Sequence, residues 1–381
     1  MKFKYIVVGA GLAGATIAER IASQLGERVL VIEERKHIGG NCYDFRDENG
    51  ILVHKYGPHL FHTNYTEVFE YLSQFTEWRV YQHRVLALVD GKKVPVPFNL
   101  ESIHALFPRS MALKFEEKLL KTFSYNEKVP ILTLKQSTDS DIKAIAEYVY
   151  EKIFVNYSSK QWGLKPEDID QTVTARVPIV IGKDNRYFSD RYQAVPRQGY
   201  TKLFEKMLFH PNIKLMLNTK FQDVCRLRSG KIELMGQPFD GILIYTGMID
   251  ELFDFKFGKL PYRSLRMEFE ILDTEYFQEV ATVNFPNDYD FTRITEFKHI
   301  HPHQCNKTVI LKEYPTNYNF GENIPYYPFQ THEAKKIYSM YKEYSSAWPN
   351  LILLGRLAEF KYYDMDDVVK RALDLFCEKL R

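Results

Sequence analysis

Cysteine is scarce, at 4 in 381 residues. Cys42, Cys225, Cys305 and Cys377 lie far apart with no C-x-x-C pair among them, which excludes a disulfide framework or a zinc ribbon as the organising element. No apolar run approaches the roughly 18 residues a membrane-crossing helix needs, and the opening MKFKYIVVGAGLAG carries no signal-like apolar core with a cleavage site. A soluble, cytoplasmic protein with no membrane partner is expected. Charge of one sign is missing too: 51 basic residues against 49 acidic leave a formal +2, so no global field recruits nucleic acid, and any basic patch must be local. No Ser-His-Asp order and no pair of catalytic carboxylates is legible. His59 and His62 stand three apart in a loop bounded by Gly and Pro, but a third ligand at a recognisable spacing is lacking, and no metal site is expected. What is abundant is aromatic, with 26 Tyr and 27 Phe, a stock that suits a stacking site as well as a core.

The apolar run Tyr5 to Val8 leads into GAGLAG (Gly9 to Gly14) and then into Ile17, Ile21 and Leu25 at helical spacing; a second strand, RVLVIEE, follows. This is a βαβ opening. A helix is predicted over about Tyr65 to Phe75, and a hairpin over Arg84 to Phe98 turning at Asp90-Gly91. Helix-period segments run over Asn99 to Phe107, Met111 to Phe123 and Asp141 to Tyr157, broken at Pro108 and Pro130. From Arg263 onward the period falls to two in RSLRMEFEIL, EVATVNF, FTRITEFKH and TVILKEYP, as in an antiparallel sheet. DGILIYTG (Asp240 to Gly247) and LILLGR (Leu351 to Arg356) are buried-strand runs that return to the opening fold, and DMDDVVKRALDLFCEKL closes the chain as a helix with acidic residues in its first turn.

Gly9, Gly11 and Gly14 fit three separate needs of a dinucleotide turn: a tight bend, close approach of backbone to pyrophosphate, and packing of helix on strand. Phosphates then meet free N–H groups at the helix start. Glu33 stands about 20 residues beyond Gly14, where the carboxylate for a ribose hydroxyl belongs. After it, RKHIGGNC, with Gly39-Gly40 following a basic residue, resembles the second phosphate and flavin contact of the large flavoprotein family that includes amine oxidases. FAD is therefore expected rather than NAD. No second G-x-G-x-x-G is present, so the flavin is expected to be reduced from outside, by a donor such as NAD(P)H, or through a weak site.

KIFVNYSSKQWG (Lys152 to Gly163) puts Tyr157, Lys160 and Trp162 at a helix end with few acidic neighbours, a surface suited to a nucleotide or sugar. KYGPHLFHT, NYSSKQWG, DRYQAVPRQGYTKLFEKML, FTRITEFKH, KEYP, PYYP and GRLAEFKYYDMDDV occur in that order, and together they closely resemble the bacterial UDP-galactopyranose mutases over nearly the whole chain. The resemblance implies an α/β fold: an FAD-binding, Rossmann-like domain built from discontinuous segments (1–75, 199–258, 331–381), a helical substrate-binding domain (99–172), and an antiparallel β-sheet domain (76–98, 173–198, 259–330). It implies a homodimer and an enzyme of galactofuranose and cell-surface polysaccharide biosynthesis. The activity would be interconversion of UDP-galactopyranose and UDP-galactofuranose without net redox change, with N5 of reduced FAD as nucleophile.

Position by position, the resemblance implies FAD contacts at Gly9, Gly11, Ala13, Gly14, Glu33, Glu34, Gly40, Asn41, His59, Leu60, Arg356, Tyr363, Asp364, Met365 and Val368. Tyr157, Ser158 and Trp162 would line the nucleotide and sugar pocket, with His83, Ile153 and the backbone near Phe154 at the base. Tyr187, Asn284, Tyr327 and Tyr362 match further substrate contacts. Arg176 and Arg293 match the two arginines that grip the diphosphate, where bidentate bonds strengthen as charge builds on the leaving group; with His59 they form the expected catalytic set. The chain departs from many members at Pro58, His83 and Ile153. Two other functions share the fold class: an amine-oxidase-like flavin oxidoreductase, which needs an apolar amine channel, and a binding protein resembling the GDP dissociation inhibitors, which needs no flavin.

Overall fold

A computed structural model describes residues 3–157, 160 and 178–381. Tyr5–Val8 and Ile242–Tyr245 are apolar at every position, and such strands are stable only when both faces of their sheet are covered. They form the centre of a five-stranded parallel sheet, ordered Ile213–Met216, Val29–Ile32, Tyr5–Val8, Ile242–Tyr245, Leu351–Leu353. Alternation along the first strand divides its side chains between two cores. Tyr5 and Val7 pack with Ile17 and Ile21 of the helix Leu12–Gln24, with Phe204, and with Val369 of the helix Met365–Leu375. Ile6 packs on the other side with Phe221, Tyr341 and Trp348, where the helix His332–Ser345 lies.

The period-two segments build a seven-stranded sheet in the order Tyr327–Pro328, Tyr262–Leu272, Thr308–Asn317, Arg293–Glu296, Thr282–Asn284, Val85–Val89, Lys92–Val96. Every junction is antiparallel except one: Thr282–Asn284 runs parallel to Val85–Val89, which attaches the early hairpin to the late strands. That hairpin turns at Asp90 and Gly91, whose φ values of 46° and 76° are those of the two-residue turn that matches strand twist.

A third core holds the helices. Leu100–Leu106, Arg109–Thr122 and Ser140–Val149 bury Ile103, Phe115, Leu119, Ile145 and Val149 against the hairpin residues Val94 and Val96. The helices break at Pro108 and Pro130 as expected, and one detail differs from the sequence reading. Pro108 and Pro130 each stand immediately before a helix, Arg109–Thr122 and the short Ile131–Lys135, because a fixed φ and a missing N–H are tolerated at a helix start. The segment expected as one helix from Asp141 to Tyr157 is α-helical only to Val149 and then widens into a π-turn over Tyr150–Val155. Such turns break the helical repeat and occur often at functional sites. Among the described residues, no helix is long and apolar enough to cross a membrane.

Candidate active site

The C-terminal edge of the parallel sheet opens into a cavity of about 530 Å³. Its floor is the glycine turn. Gly9 has φ 98°, and a Cβ there would lie 2.1 Å from Thr246 Oγ1, so only glycine fits. Gly11 and Gly40 approach each other closely: a Cβ on Gly40 would sit 2.9 Å from Gly11 Cα. Between them backbone is laid bare to the cavity. The helix Leu12–Gln24 starts here with no acidic residue in its first turn, leaving its N–H groups and dipole available to an anion.

At one end of the cavity lies Glu33. Its Oε2 accepts from Ala10 N at 2.8 Å and its Oε1 from Arg35 N at 2.9 Å, fixing the carboxylate while lone pairs remain for a ribose hydroxyl. Burial pushes this carboxyl up, against the pull of the two amides. Glu34 and Glu251 also line this end. At the other end are His59, Asn41, Arg356, Asp364, Met365 and Val368. Asp364 caps the helix Met365–Leu375 in a reciprocal box with Asp367, so the N-termini of two helices face one cavity. A glycine-floored cleft with a fixed carboxylate, Glu33, in its lining and two helix N-termini facing it suits a dinucleotide.

Three residues expected at the cofactor do not line this cavity. Gly14 lies behind it, where a Cβ would stand 1.9 Å from Gly9 O, so its role is helix-on-strand packing. Leu60 packs into the apolar cluster of Ile51, Val53 and Phe297. Tyr363 acts through its carbonyl, which accepts from Arg356 Nε at 3.1 Å and also from Arg356 Nη2. The sequence reading in turn missed the turns that follow the other strands of the parallel sheet: Thr219 to Gln222, Thr246 to Met248, and a cover formed by Tyr318 and Phe320 to Tyr326. Their signal was present only for Ile242–Tyr245, a strand followed by glycine; the edge strand Ile213–Met216 is equally short but is interrupted by the exposed Lys214 and followed by no glycine, so nothing in the sequence marks the turn after it.

Next to the His59 end, the seven-stranded sheet presents a row of side chains. Asn284, Arg293, Glu313 and Met267 are successive cross-strand partners. Arg293 Nε lies 3.5 Å from Glu313 Oε2. Burial alone would favour neutral Arg293, but Glu313 and the hydroxyls of Tyr157, Tyr327 and Tyr187 around it outweigh that and hold it charged. Burial pushes the Glu313 carboxyl up, with Arg293 pulling back. Arg293 Nε and Glu313 Oε1 have no hydrogen-bond partner among the described residues, so the guanidinium retains donor capacity for a ligand. Glu313 was not expected at the site: in KEYP it reads as one more polar residue of an alternating strand.

Tyrosines line this region. The Tyr327 and Tyr362 rings stack at 5.7 Å, and the Arg356 guanidinium lies 5.3 Å and 5.4 Å from their centroids, so Arg356 joins the cofactor cavity to the arginine cluster. Burial pushes the Tyr157 hydroxyl up to about 12 and keeps it a donor. His83 stands edge-on to Tyr187, accepts or donates to Tyr81 at 3.1 Å, and is pushed down to about 3 by burial, with Arg293 and His62 adding to the effect. It is therefore neutral. Ile153 and Phe154 have their side chains in the helical core, so what they can offer a ligand is backbone. Ser158, Trp162 and Arg176 lie outside the described residues.

Residues 152–362 match the UDP-galactopyranose mutase family, and residues 7–75 match the NAD(P)-binding Rossmann-like domain. Among similar proteins, dTDP-fucopyranose mutase of Escherichia coli is 33% identical over 97% of each chain. UDP-galactopyranose mutase of Mycoplasma pneumoniae is 33% identical over 98% of this chain and 95% of its own. A crystal structure of reduced UDP-galactopyranose mutase superimposes with a TM-score of 0.75, covering 100% of this chain and 95% of that one at 17% identity, a likeness of fold. A putrescine oxidase structure shares the fold more loosely, at 0.59 and 11% over 98% of this chain and 99% of that one. Because the similarity to the mutases runs through the glycine turn, the helices and the arginine-bearing sheet alike, and is not confined to the widely shared dinucleotide domain, this chain belongs to the UDP-galactopyranose mutase family.

Proposed function

We propose that the protein interconverts UDP-galactopyranose and UDP-galactofuranose on reduced FAD, with no net redox change. One observation carries the reading: a half-buried, tyrosine-ringed Arg293 adjoins the ring end of a dinucleotide cavity, with Arg356, Tyr327 and Tyr362 between them. An anion-holding group is thereby set beside the place where a flavin ring would lie. FAD would be held by Gly9, Gly11, Gly40, Glu33 and Asp364, and in its reduced form it supplies a nucleophilic nitrogen for the anomeric carbon.

The chain's own residues do the rest. Arg293, with Arg176 as its expected partner, binds the diphosphate and stabilises the charge that develops on it as the glycosidic bond opens. Keeping the released nucleotide in place makes its return effectively intramolecular. Tyr157 and Tyr327, held protonated by burial, orient phosphate or sugar oxygens as donors, with Tyr187 beside them. Neutral His83 adds no second cation, and neutral His59 leaves a lone pair facing the cofactor end.

The test is chromatography of UDP-galactopyranose after incubation with dithionite-reduced protein: a furanose product is expected from the reduced form and none from the oxidised form. Oxygen-consuming turnover of an amine would favour the oxidase reading, which a charged arginine at the ring end opposes. A colourless protein without flavin would favour a binding role. The Escherichia coli relative supports a second substrate, dTDP-fucopyranose, which differs in base and in lacking both the ribose 2′-hydroxyl and the sugar's terminal hydroxyl; offering both sugars in one assay decides between them. The reading also has the protein working as a cytoplasmic homodimer in polysaccharide biosynthesis, reduced by an external donor such as NAD(P)H. Sedimentation, and anaerobic flavin bleaching by NADH or NADPH, check the dimer and the donor.

A further inference from the structure

His54 is fully buried at the end of the strand Leu52–His54, below the cofactor cavity. Its Nδ1 lies 3.0 Å from the backbone N of His59, which can only donate. Its Nε2 lies 3.2 Å from Nε2 of His301. Burial pushes His54 down to about 3 and His301 to about 2, with Arg79 and Arg46 near His301 acting in the same direction as His54. Both rings are therefore neutral, and the hydrogen bonds fix every proton. His54 Nδ1 accepts, so its proton is on Nε2; that proton is donated to His301 Nε2, so His301 carries its own on Nδ1. His59 Nδ1 donates to Gly57 O at 2.9 Å, which leaves His59 Nε2 as an acceptor.

His301 follows the short helix Phe297–Ile300, which continues directly from the strand Arg293–Glu296. The chain of bonds thus connects the strand that carries Arg293 to the loop that carries His59 at the cavity. We infer that His54 and His301 are positioning residues, a pair of neutral imidazoles that sets the His59 loop in register with the arginine strand for the isomerisation. The inference rests on the proposed function for its activity readout, and on the hydrogen-bond chain alone for its structural one.

The full-length, flavin-loaded protein is compared with His301→Leu and His301→Gln. Leucine removes the acceptor and leaves the His54 Nε2–H buried without a partner, whereas the glutamine Oε1 can accept it. In His301→Leu, kcat per bound flavin falls about tenfold, equivalent to about 1.4 kcal/mol of transition-state stabilisation lost as the His59 loop leaves its register. KM for UDP-galactopyranose stays within about twofold, and the absorbance band of the bound flavin shifts as His59 moves. His301→Gln restores both kcat and spectrum. Equal kcat per bound flavin in all three proteins, or equal losses in both variants, overturns the inference. In the unmodified protein labelled with ¹⁵N-histidine, a nitrogen–nitrogen coupling across the His54–His301 hydrogen bond is expected, and its absence overturns the inference whatever the variants do. A wild-type protein that holds no flavin or does not isomerise would refute the proposed function while leaving that coupling in place.

Discussion

Arg293 is the residue on which the site turns, because it is cationic, half-buried and only loosely engaged by the buried Glu313 at 3.5 Å. Arg293→Ala is expected to cost about 2–5 kcal/mol in UDP binding and turnover, the range for truncating one partner of a buried charge-assisted bond. Flavin content should be unchanged, and Arg293→Lys should rescue incompletely because an ammonium lacks the planar fork. Binding calorimetry with UDP and the isomerisation assay check this; unaltered affinity and rate would remove Arg293 from the site. Glu251 offers a separate test. Burial, with Glu34 and Asp250 adding, pushes its carboxyl from 4.5 up to about 7. The folded state therefore binds more protons than the unfolded one between those values, and this group's contribution to stability declines as pH rises from about 4.5 to about 7. Glu251→Gln should flatten that part of a plot of melting temperature against pH; an unchanged profile would refute the shift.

For the helix Leu12–Gln24, two glycines near its start have different physical jobs, and the structure separates them. A Cβ on Gly11 would meet only Gly40 Cα, at an ordinary 3.6 Å, whereas one on Gly14 would meet Gly9 O at 1.9 Å. Gly14→Ala must push the helix off its strand and should destabilise the protein by at least about 1–3 kcal/mol. Gly11→Ala should leave the apoprotein's melting temperature nearly unaltered yet weaken FAD binding, and Gly11→Val should remove the yellow colour, since the added carbons occupy the phosphates' approach. Thermal unfolding of the apo forms and flavin absorbance after desalting distinguish the two. Comparable loss of stability at both positions would refute the assignment. The second helix at the cavity, Met365–Leu375, was legible as a capped helix from its acidic first turn. That its N-cap Asp364 also faces the cofactor end came only from the family resemblance, because capping and ligand contact call for the same residue type and local pattern cannot separate them.

Across the whole molecule, the cofactor cavity is assembled from stretches near Gly9 to His59, Thr219 to Glu251, Tyr318 to Tyr326 and Gly355 to Val368. FAD binding to the folded state alone therefore links segments far apart in the chain. Free FAD at 100 times its dissociation constant should stabilise the protein by about 2.7 kcal/mol, seen as a melting temperature that rises with FAD concentration; a temperature independent of FAD would show that the folded protein does not bind it.

The sequence by itself determined the βαβ opening, the hairpin at Asp90-Gly91, the late period-two strands and the closing helix, because each rests on local periodicity or on a backbone angle that glycine permits. It also carried Glu33 and the glycine turn, whose spacing is set within one supersecondary unit. Only the packing of distant segments fixed the parallel junction at Thr282–Asn284 and the His54–His301 bond. It also put Glu313 beside Arg293 and joined four distant turns into one cavity. These are pairings between residues widely separated in sequence, selected by which buried charges and donors find partners when the sheets pack, and no local period in the chain encodes them.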